Sequence, residues 1–257
     1  MSLIQYEYRH QIAIIRLNRP TKLNALSSEM KTELMDRLLE LRLDSELRAV
    51  ILTAAGEAFC AGTDIGELAG LTETQAAELS KRGQQLCDTV ESFPVPVIAA
   101  VNGIAAGGGC ELALACHLRV ASTHASFSLP ETKLGLIPAY GGTQRLPTEI
   151  GVARALEAMV AGKVIDAASA FDSGLVNRVV EPEQLMSETI SLATEIASLA
   201  PLAIRACLRA VTEGTKLPLE DGLALERELF ASLFATEDAR EGTRAFLDKR
   251  PPVFTGR

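Results

Sequence analysis

A chain of 257 residues, 47% hydrophobic and 23% charged, is long enough to bury a large core and far from the composition of a disordered protein. With 33 acidic residues against 25 basic ones the net charge is −8, which disfavours a general nucleic-acid binder. The cysteines, Cys60, Cys87, Cys110, Cys116 and Cys207, are odd in number and show no CxxC or Cys/His metal spacing, so they read as reduced core thiols of a cytoplasmic protein with no metal site.

Residues 4–17 read as a β-hairpin: Tyr6 and Tyr8 alternate with polar residues, His10 and Gln11 turn, and an apolar run returns from Ile12. This opening carries no signal or transit pattern. After a loop over 18–24, Ser27 or Ser28 caps a helix to about Leu41, with Met30, Leu34, Leu38 and Leu41 at helical spacing. Residues 49–53 form a buried strand, 58–65 a strand end opening into a small-residue loop, and 74–92 a helix. Residues 96–101 have the length and branching of a second buried strand, and a helix starts at Gly108. Short strands follow at 118–122 and 126–129, then a Gly-rich passage over 132–147, helices at 150–161 and 166–173, and a strand at 176–180. Beyond Pro182 the chain is nearly all helix: 183–200, 202–213, 218–234 and 236–249. Strand–helix alternation followed by a helical tail predicts an α/β fold, a parallel-rich sheet covered by helices. The tail must bury its apolar faces on its own domain or on a neighbouring subunit. The longest uncharged apolar run, residues 95–106, is too short and too Gly-rich to span a bilayer.

Chemistry concentrates between Pro96 and Glu131. Gly107, Gly108 and Gly109 stand against a helix N-terminus, where bare backbone N–H groups and a positive dipole end face outward; the same pattern also serves tight strand-to-helix packing. A phosphate loop is disfavoured, because neither GxxxxGK[ST] nor GxGxxG spacing occurs there. Glu111 lies about one turn into an otherwise apolar helix, where a carboxylate either raises its own pKa, finds a partner or complements the dipole. Glu131 closes the stretch after Pro130. The three histidines, His10, His117 and His124, read as structural, and no GxSxG elbow or HExxH motif is present. Backbone donors and two acids suggest a site that stabilises an oxyanion and moves protons.

Three motifs taken together resemble the crotonase (enoyl-CoA hydratase/isomerase) superfamily. They are Phe59-Cys-Ala-Gly-Thr-Asp-Ile65, Val101-Asn-Gly-Ile-Ala-Ala-Gly-Gly-Gly-Cys-Glu-Leu112, and the passage from Phe127-Ser-Leu-Pro-Glu131 to Tyr140-Gly-Gly-Thr-Gln-Arg-Leu146. The likeness extends to Asn18-Arg-Pro, Leu23-Asn-Ala-Leu26 and the terminal Ala245-Phe-Leu-Asp-Lys-Arg-Pro251, so it covers essentially the whole chain. The resemblance implies a crotonase-like spiral of ββα units over residues 1–195 and a helical C-terminal trimerisation region over 196–257, giving a homotrimer or a hexamer built as a dimer of trimers. It further implies an acyl-CoA substrate, no cofactor beyond the coenzyme A of that substrate, a place in fatty acid metabolism such as β-oxidation, and no nucleic-acid or membrane partner.

By the same resemblance, the backbone N–H groups of Thr63 and Gly108 hold the thioester oxygen. Glu111 and Glu131 match the two glutamates of true hydratases, with Glu111 as base toward water and Glu131 as acid toward C2. Lys22, Leu23, Ala25, Ala61, Asp64 and Ile65 flank the coenzyme A moiety, Tyr140 bounds the acyl pocket, and Phe246 and Lys249 of a neighbouring subunit complete the site. Departures touch the substrate side: Thr63 stands where Ala is usual, Gly66 where many members carry Lys, and Tyr140 where a small residue is frequent. The expected activity is syn hydration of a trans-2-enoyl-CoA. The alternatives are an enoyl-CoA isomerase, a carnitinyl-CoA-type dehydratase, or a non-catalytic RNA-binding or assembly relative.

Overall fold

The computed structural model describes residues 2–257 and places six strands in one sheet. β1 (Ile4–Arg9) and β2 (Ile12–Leu17) form the antiparallel hairpin, turning at His10 with φ 53°. β3 (Ala49–Ala54), β5 (Val97–Val101), β7 (Leu118–Ser122) and β10 (Arg178–Val180) follow β2 in parallel. Every residue of β3 and β5 is buried, as their continuous apolar sequences require of strands covered on both faces. Alternate residues divide between the two faces. Ala13, Ile15, Val50, Leu52, Val97 and Ala99 join the main core, whereas Ile12, Ile14, Ile51 and Ile98 meet Leu185 and Ala193 of α8 (Leu185–Ala197).

Helices α1 (Ser28–Leu41) and α3 (Glu73–Glu91) cover the main core, and each begins as its sequence dictates. Ser27 accepts from Met30 N, and Thr72 and Gln75 make a capping box. Between them, β4 (Ala58–Cys60) leads to the four-residue α2 (Ile65–Leu68).

A second, four-stranded sheet positions the site. β4, β6 (Ile104–Ala106) and β8 (Ser126–Ser128) are parallel, and β9 (Ile165–Asp166) closes the order antiparallel to β8. Neighbouring parallel strands end on the same side. Residues 61–64 after β4, Gly107 and α4 (Gly108–Ala115) after β6, and Pro130 and Glu131 after β8 therefore emerge together. The carboxyl ends of parallel strands are where an α/β sheet opens a ligand crevice.

Two expectations need correction, and one strand had no sequence signature. The passage over 132–147 contains a helix, α5 (Gly142–Ile150), that runs through Pro147 and stops at Gly151, before α6 (Val152–Val160). Burial of Gly142, Leu146 and Ile150 outweighs the proline and the paired glycines that read as loop. β6 is a strand too short, at three residues, to show a period. Of the five cysteines only four are buried, because Cys207 on α9 (Pro201–Gly214) is exposed; all five are free thiols.

After α7 (Ala167–Asp172) and α8, the chain ends in α9, α10 (Leu219–Leu233) and α11 (Glu237–Leu247). α9 and α10 pack together, yet neither has a buried residue, and Val211, Leu219, Phe230, Phe234 and Phe246 are exposed. Among the described residues no single helix is long and apolar enough to cross a membrane.

Candidate active site

Gly107 has φ +51° and ψ −129°, a backbone that L side chains rarely adopt, and it turns the chain from β6 into α4. The close approach is equally restrictive: a Cβ at Gly107 would lie 3.0 Å from Glu131 Oε1. Gly62, with φ +100°, brings the loop after β4 against the same turn, where a Cβ would lie 3.3 Å from Gly108 N. The loop carrying Thr63 and the N-terminus of α4 are thus in contact, and both face a cavity of about 120 Å³.

Glu111, in the first turn of α4, is 1% exposed. Its Oε1 accepts from Tyr140 N and from Gly142 N, each at 2.7 Å. Burial pushes its pKa up, and those backbone donors together with Ala139 N–H and the Arg145 charge oppose the rise. Glu131 lines the same cavity and lacks such a cradle. Burial raises its pKa to about 7; its own backbone N–H opposes this and the Glu111 charge adds to it. Among the described residues, Glu131 Oε2 is buried without a hydrogen-bond partner. On Glu111 two short backbone bonds offset part of the burial that raises its pKa, and Glu131, without such a cradle, holds its proton to near neutral pH. Two such groups lining one cavity can take a proton from one bound molecule and give a proton to another.

The cavity brings together Ala61, Thr63, Ile65, Gly108, Glu111, Glu131 and Tyr140 of the residues that the sequence singles out. Lys22, Leu23 and Ala25 lie beside it and do not line it. Ala61 N donates to Leu23 O at 2.9 Å, Leu26 N to Gly62 O at 2.7 Å, and Leu26 bridges Thr63. Buried Asn24 locks this loop by donating to Ala55 O and Ala58 O, each at 2.8 Å. Asp64 is also off the wall: it caps α2 through Gly66 N at 3.0 Å and pairs with Arg19 at 2.6 Å, which lowers its pKa. Phe246 and Lys249 are not on the cavity wall of this chain, and Phe246 is 83% exposed.

Sequence reasoning missed the apolar wall formed by Leu68, Leu79, Leu134, Leu136 and Ile137, and missed buried Lys31 behind Tyr140. The wall residues come from a four-residue helix, from α3, and from a single 3-10 turn (Glu131–Leu134) with the loop that follows it, where no periodicity marks them. Lys31 had a signal: three residues before Leu34 and seven before Leu38, it falls on the buried stripe of α1.

The enoyl-CoA hydratase/isomerase family profile matches residues 7–257. The crotonyl-CoA hydratase of Syntrophomonas wolfei is 39% identical over 249 residues, 96% of each chain. The short-chain-enoyl-CoA hydratase of Clostridium acetobutylicum is 40% identical, covering 95% of this chain and 94% of its own. The crystal structure of an enoyl-CoA hydratase from Bacillus anthracis superimposes with a TM-score of 0.96 at 41% identity over 100% of both chains. The chain belongs to the enoyl-CoA hydratase/isomerase family.

Proposed function

We propose that this protein is an enoyl-CoA hydratase, a hydro-lyase that adds water across the 2,3 double bond of a trans-2-enoyl-CoA to give the 3-hydroxyacyl-CoA. The observation that carries the reading is the pair Glu111 and Glu131 on one cavity with the Thr63 and Gly108 loops. Relatives at about 40% identity that carry hydratase names support the same reaction.

In this reading the N–H groups of Thr63 and Gly108 donate to the thioester oxygen as it gains enolate charge, an interaction worth several kcal/mol in the transition state. Glu111, as carboxylate, takes a proton from water while the water oxygen bonds to C3. Glu131, protonated, gives its proton to C2 from the same face, so the addition is syn. One proton is gained by Glu111 and one lost by Glu131; its return across the pair resets the site. The assignment follows the two short backbone bonds to Glu111 Oε1 and the unpartnered Oε2 of Glu131, and the pair titrates as a unit.

The small cavity favours short acyl chains: its volume of about 120 Å³ lies below the roughly 300–1,000 Å³ of pockets for drug-sized ligands. Residues 196–257 serve as the oligomerisation region of a homotrimer or a dimer of trimers, which covers the exposed apolar side chains of α9–α11 and brings Phe246 and Lys249 of a neighbour toward the coenzyme A. The test is a panel of acyl-CoA thioesters with purified protein. Crotonyl-CoA loses its enoyl absorbance if the reading holds, whereas turnover of a 3-enoyl-CoA alone sinks it in favour of an isomerase.

A further inference from the structure

Lys31 is an expensive residue for its place. It is 7% exposed on α1, makes no ion pair among the described residues, and donates its one side-chain hydrogen bond to Tyr140 Oη at 3.2 Å. A buried ammonium without a carboxylate partner costs more than the Leu or Met that this stripe would otherwise take. Burial lowers the Lys31 pKa, the Glu67 charge opposing and the Arg82 charge adding to the effect.

What Lys31 holds is unusual in turn. Tyr140 is 2% exposed, and its ring is wedged between two helices: a Cβ on Gly83 of α3 would fall 1.9 Å from Cδ1, and one on Gly108 of α4 would fall 2.8 Å from Cε2. Its hydroxyl lies 2.7 Å from Thr63 Oγ1. An ammonium only donates, so the Tyr140 oxygen accepts from Lys31 as well as from the Thr63 hydroxyl, while the phenol retains its own hydrogen. Burial raises the Tyr140 pKa to about 12, so the phenol keeps that hydrogen at neutral pH. The main chain of the same residue is also engaged. Tyr140 N donates to Glu111 Oε1 at 2.7 Å, and Tyr140 O accepts from Arg145 Nη1 at 3.0 Å.

Tyr140 therefore touches Glu111 with its backbone and Thr63 with its side chain. Thr63 needs such a tether, because it lies between Gly62 and the four-residue α2. Leu26 pairing holds one edge of that loop, and on the side of α4 the Thr63 hydroxyl joins Gly62 in contact with the Gly107–Gly108 turn.

We infer that Lys31 and Tyr140 are a positioning pair: through the Thr63 hydroxyl they fix the loop that carries the Thr63 N–H at a set distance from Glu111. This rests on the reading of Thr63 and Gly108 as the donors to the thioester oxygen. Neither Lys31 nor the Tyr140 hydroxyl takes part in bond making; both act through Thr63.

The experiment uses Lys31→Met, Tyr140→Phe, Thr63→Val and Thr63→Ser in the full-length protein, with two readouts. One is kcat and KM for crotonyl-CoA; the other is the enolate absorbance band of bound acetoacetyl-CoA, a thioester that cannot be hydrated and reports the oxyanion donors alone. The three disruptive variants should each lose about tenfold in kcat with KM changed less than about threefold, and should weaken the enolate band. Thr63→Ser, which keeps the hydroxyl, should retain both. The Tyr140→Phe/Thr63→Val double variant should be no slower than the slower single, since both cut one link. Thermal unfolding confirms that each variant is folded. The inference is overturned if Tyr140→Phe and Thr63→Val leave kcat and the band within about twofold of wild type, or if their losses multiply. A wild-type protein that shows the enolate band but no hydration sinks the hydratase reading and leaves the band to judge the positioning pair. One that shows neither sinks both.

Discussion

Replacing Glu111 in two ways separates its chemistry from its structural role. Glu111 Oε1 accepts two backbone N–H groups, from Tyr140 and Gly142, each at 2.7 Å in a site 1% exposed. Glu111→Gln keeps an oxygen for both donors and removes only the capacity to take a proton. Loss of general-base catalysis is worth roughly 10²–10⁴ in rate, or about 3–5 kcal/mol in the barrier. Burial already makes the Glu111 carboxylate costly, so the neutral amide should not lower the melting temperature. Glu111→Ala removes the acceptor as well. Two buried N–H groups without partners cost about 1–3 kcal/mol each, so this variant should lose about 2–6 kcal/mol of stability along with its activity. Crotonyl-CoA hydration, followed by loss of enoyl absorbance, and thermal unfolding of both variants give the comparison. A Glu111→Gln protein that keeps more than about a tenth of the wild-type rate would refute the role of base.

Glu131, with its pKa raised to about 7, donates a proton only while protonated, so kcat should decline as pH rises through about 7; a profile flat to high pH would contradict the assignment. Gly142→Ala places a Cβ 2.9 Å from Glu111 Cγ and 3.0 Å from Leu129 Cδ1. Overpacking of that kind costs about 1–3 kcal/mol and displaces the acid, so calorimetry and hydration kinetics should both register it. His117 accepts from Val97 N at 2.9 Å, and its Nε2 donates to Glu91 O at 3.0 Å, so it is held neutral. Burial lowers its pKa to about 4 from 6.5. The unfolded chain binds the extra proton between those values, so stability is complete above pH 6.5 and falls toward pH 4 by about 3 kcal/mol. His117→Asn should flatten that part of the melting-temperature profile, and an unchanged profile would assign the acid sensitivity elsewhere.

Most of the fold was legible because its long elements carry strong periods. The hairpin, the α1 stripe and the buried runs of β3 and β5 all stand where residue pattern puts them. The small second sheet was harder to read. β6 has three residues and β9 two, so their pairing is a matter of tertiary contact rather than pattern. α5 hid behind Gly141, Gly142 and Pro147, residues that favour loops when their burial is unknown. Within the site, Glu111 announced itself as an acid among apolar neighbours, and Glu131 gained meaning only as its partner. The cradle around Glu111 was invisible, since backbone donors from Tyr140 and Gly142 leave no mark on side-chain identity. The pairing of Asp64 with Arg19 left no mark either, since the two lie 45 positions apart.

The central claim is that the Glu111 and Glu131 pair adds water to an enoyl thioester held by backbone donors. The most direct test incubates purified protein with crotonyl-CoA in D₂O and examines the product by mass and NMR. The account predicts 3-hydroxybutyryl-CoA with one solvent deuterium at C2 in a single configuration, and no such product from the Glu111→Gln/Glu131→Gln double variant. Unchanged crotonyl-CoA with the wild-type protein, or product formed equally well by the double variant, would contradict it.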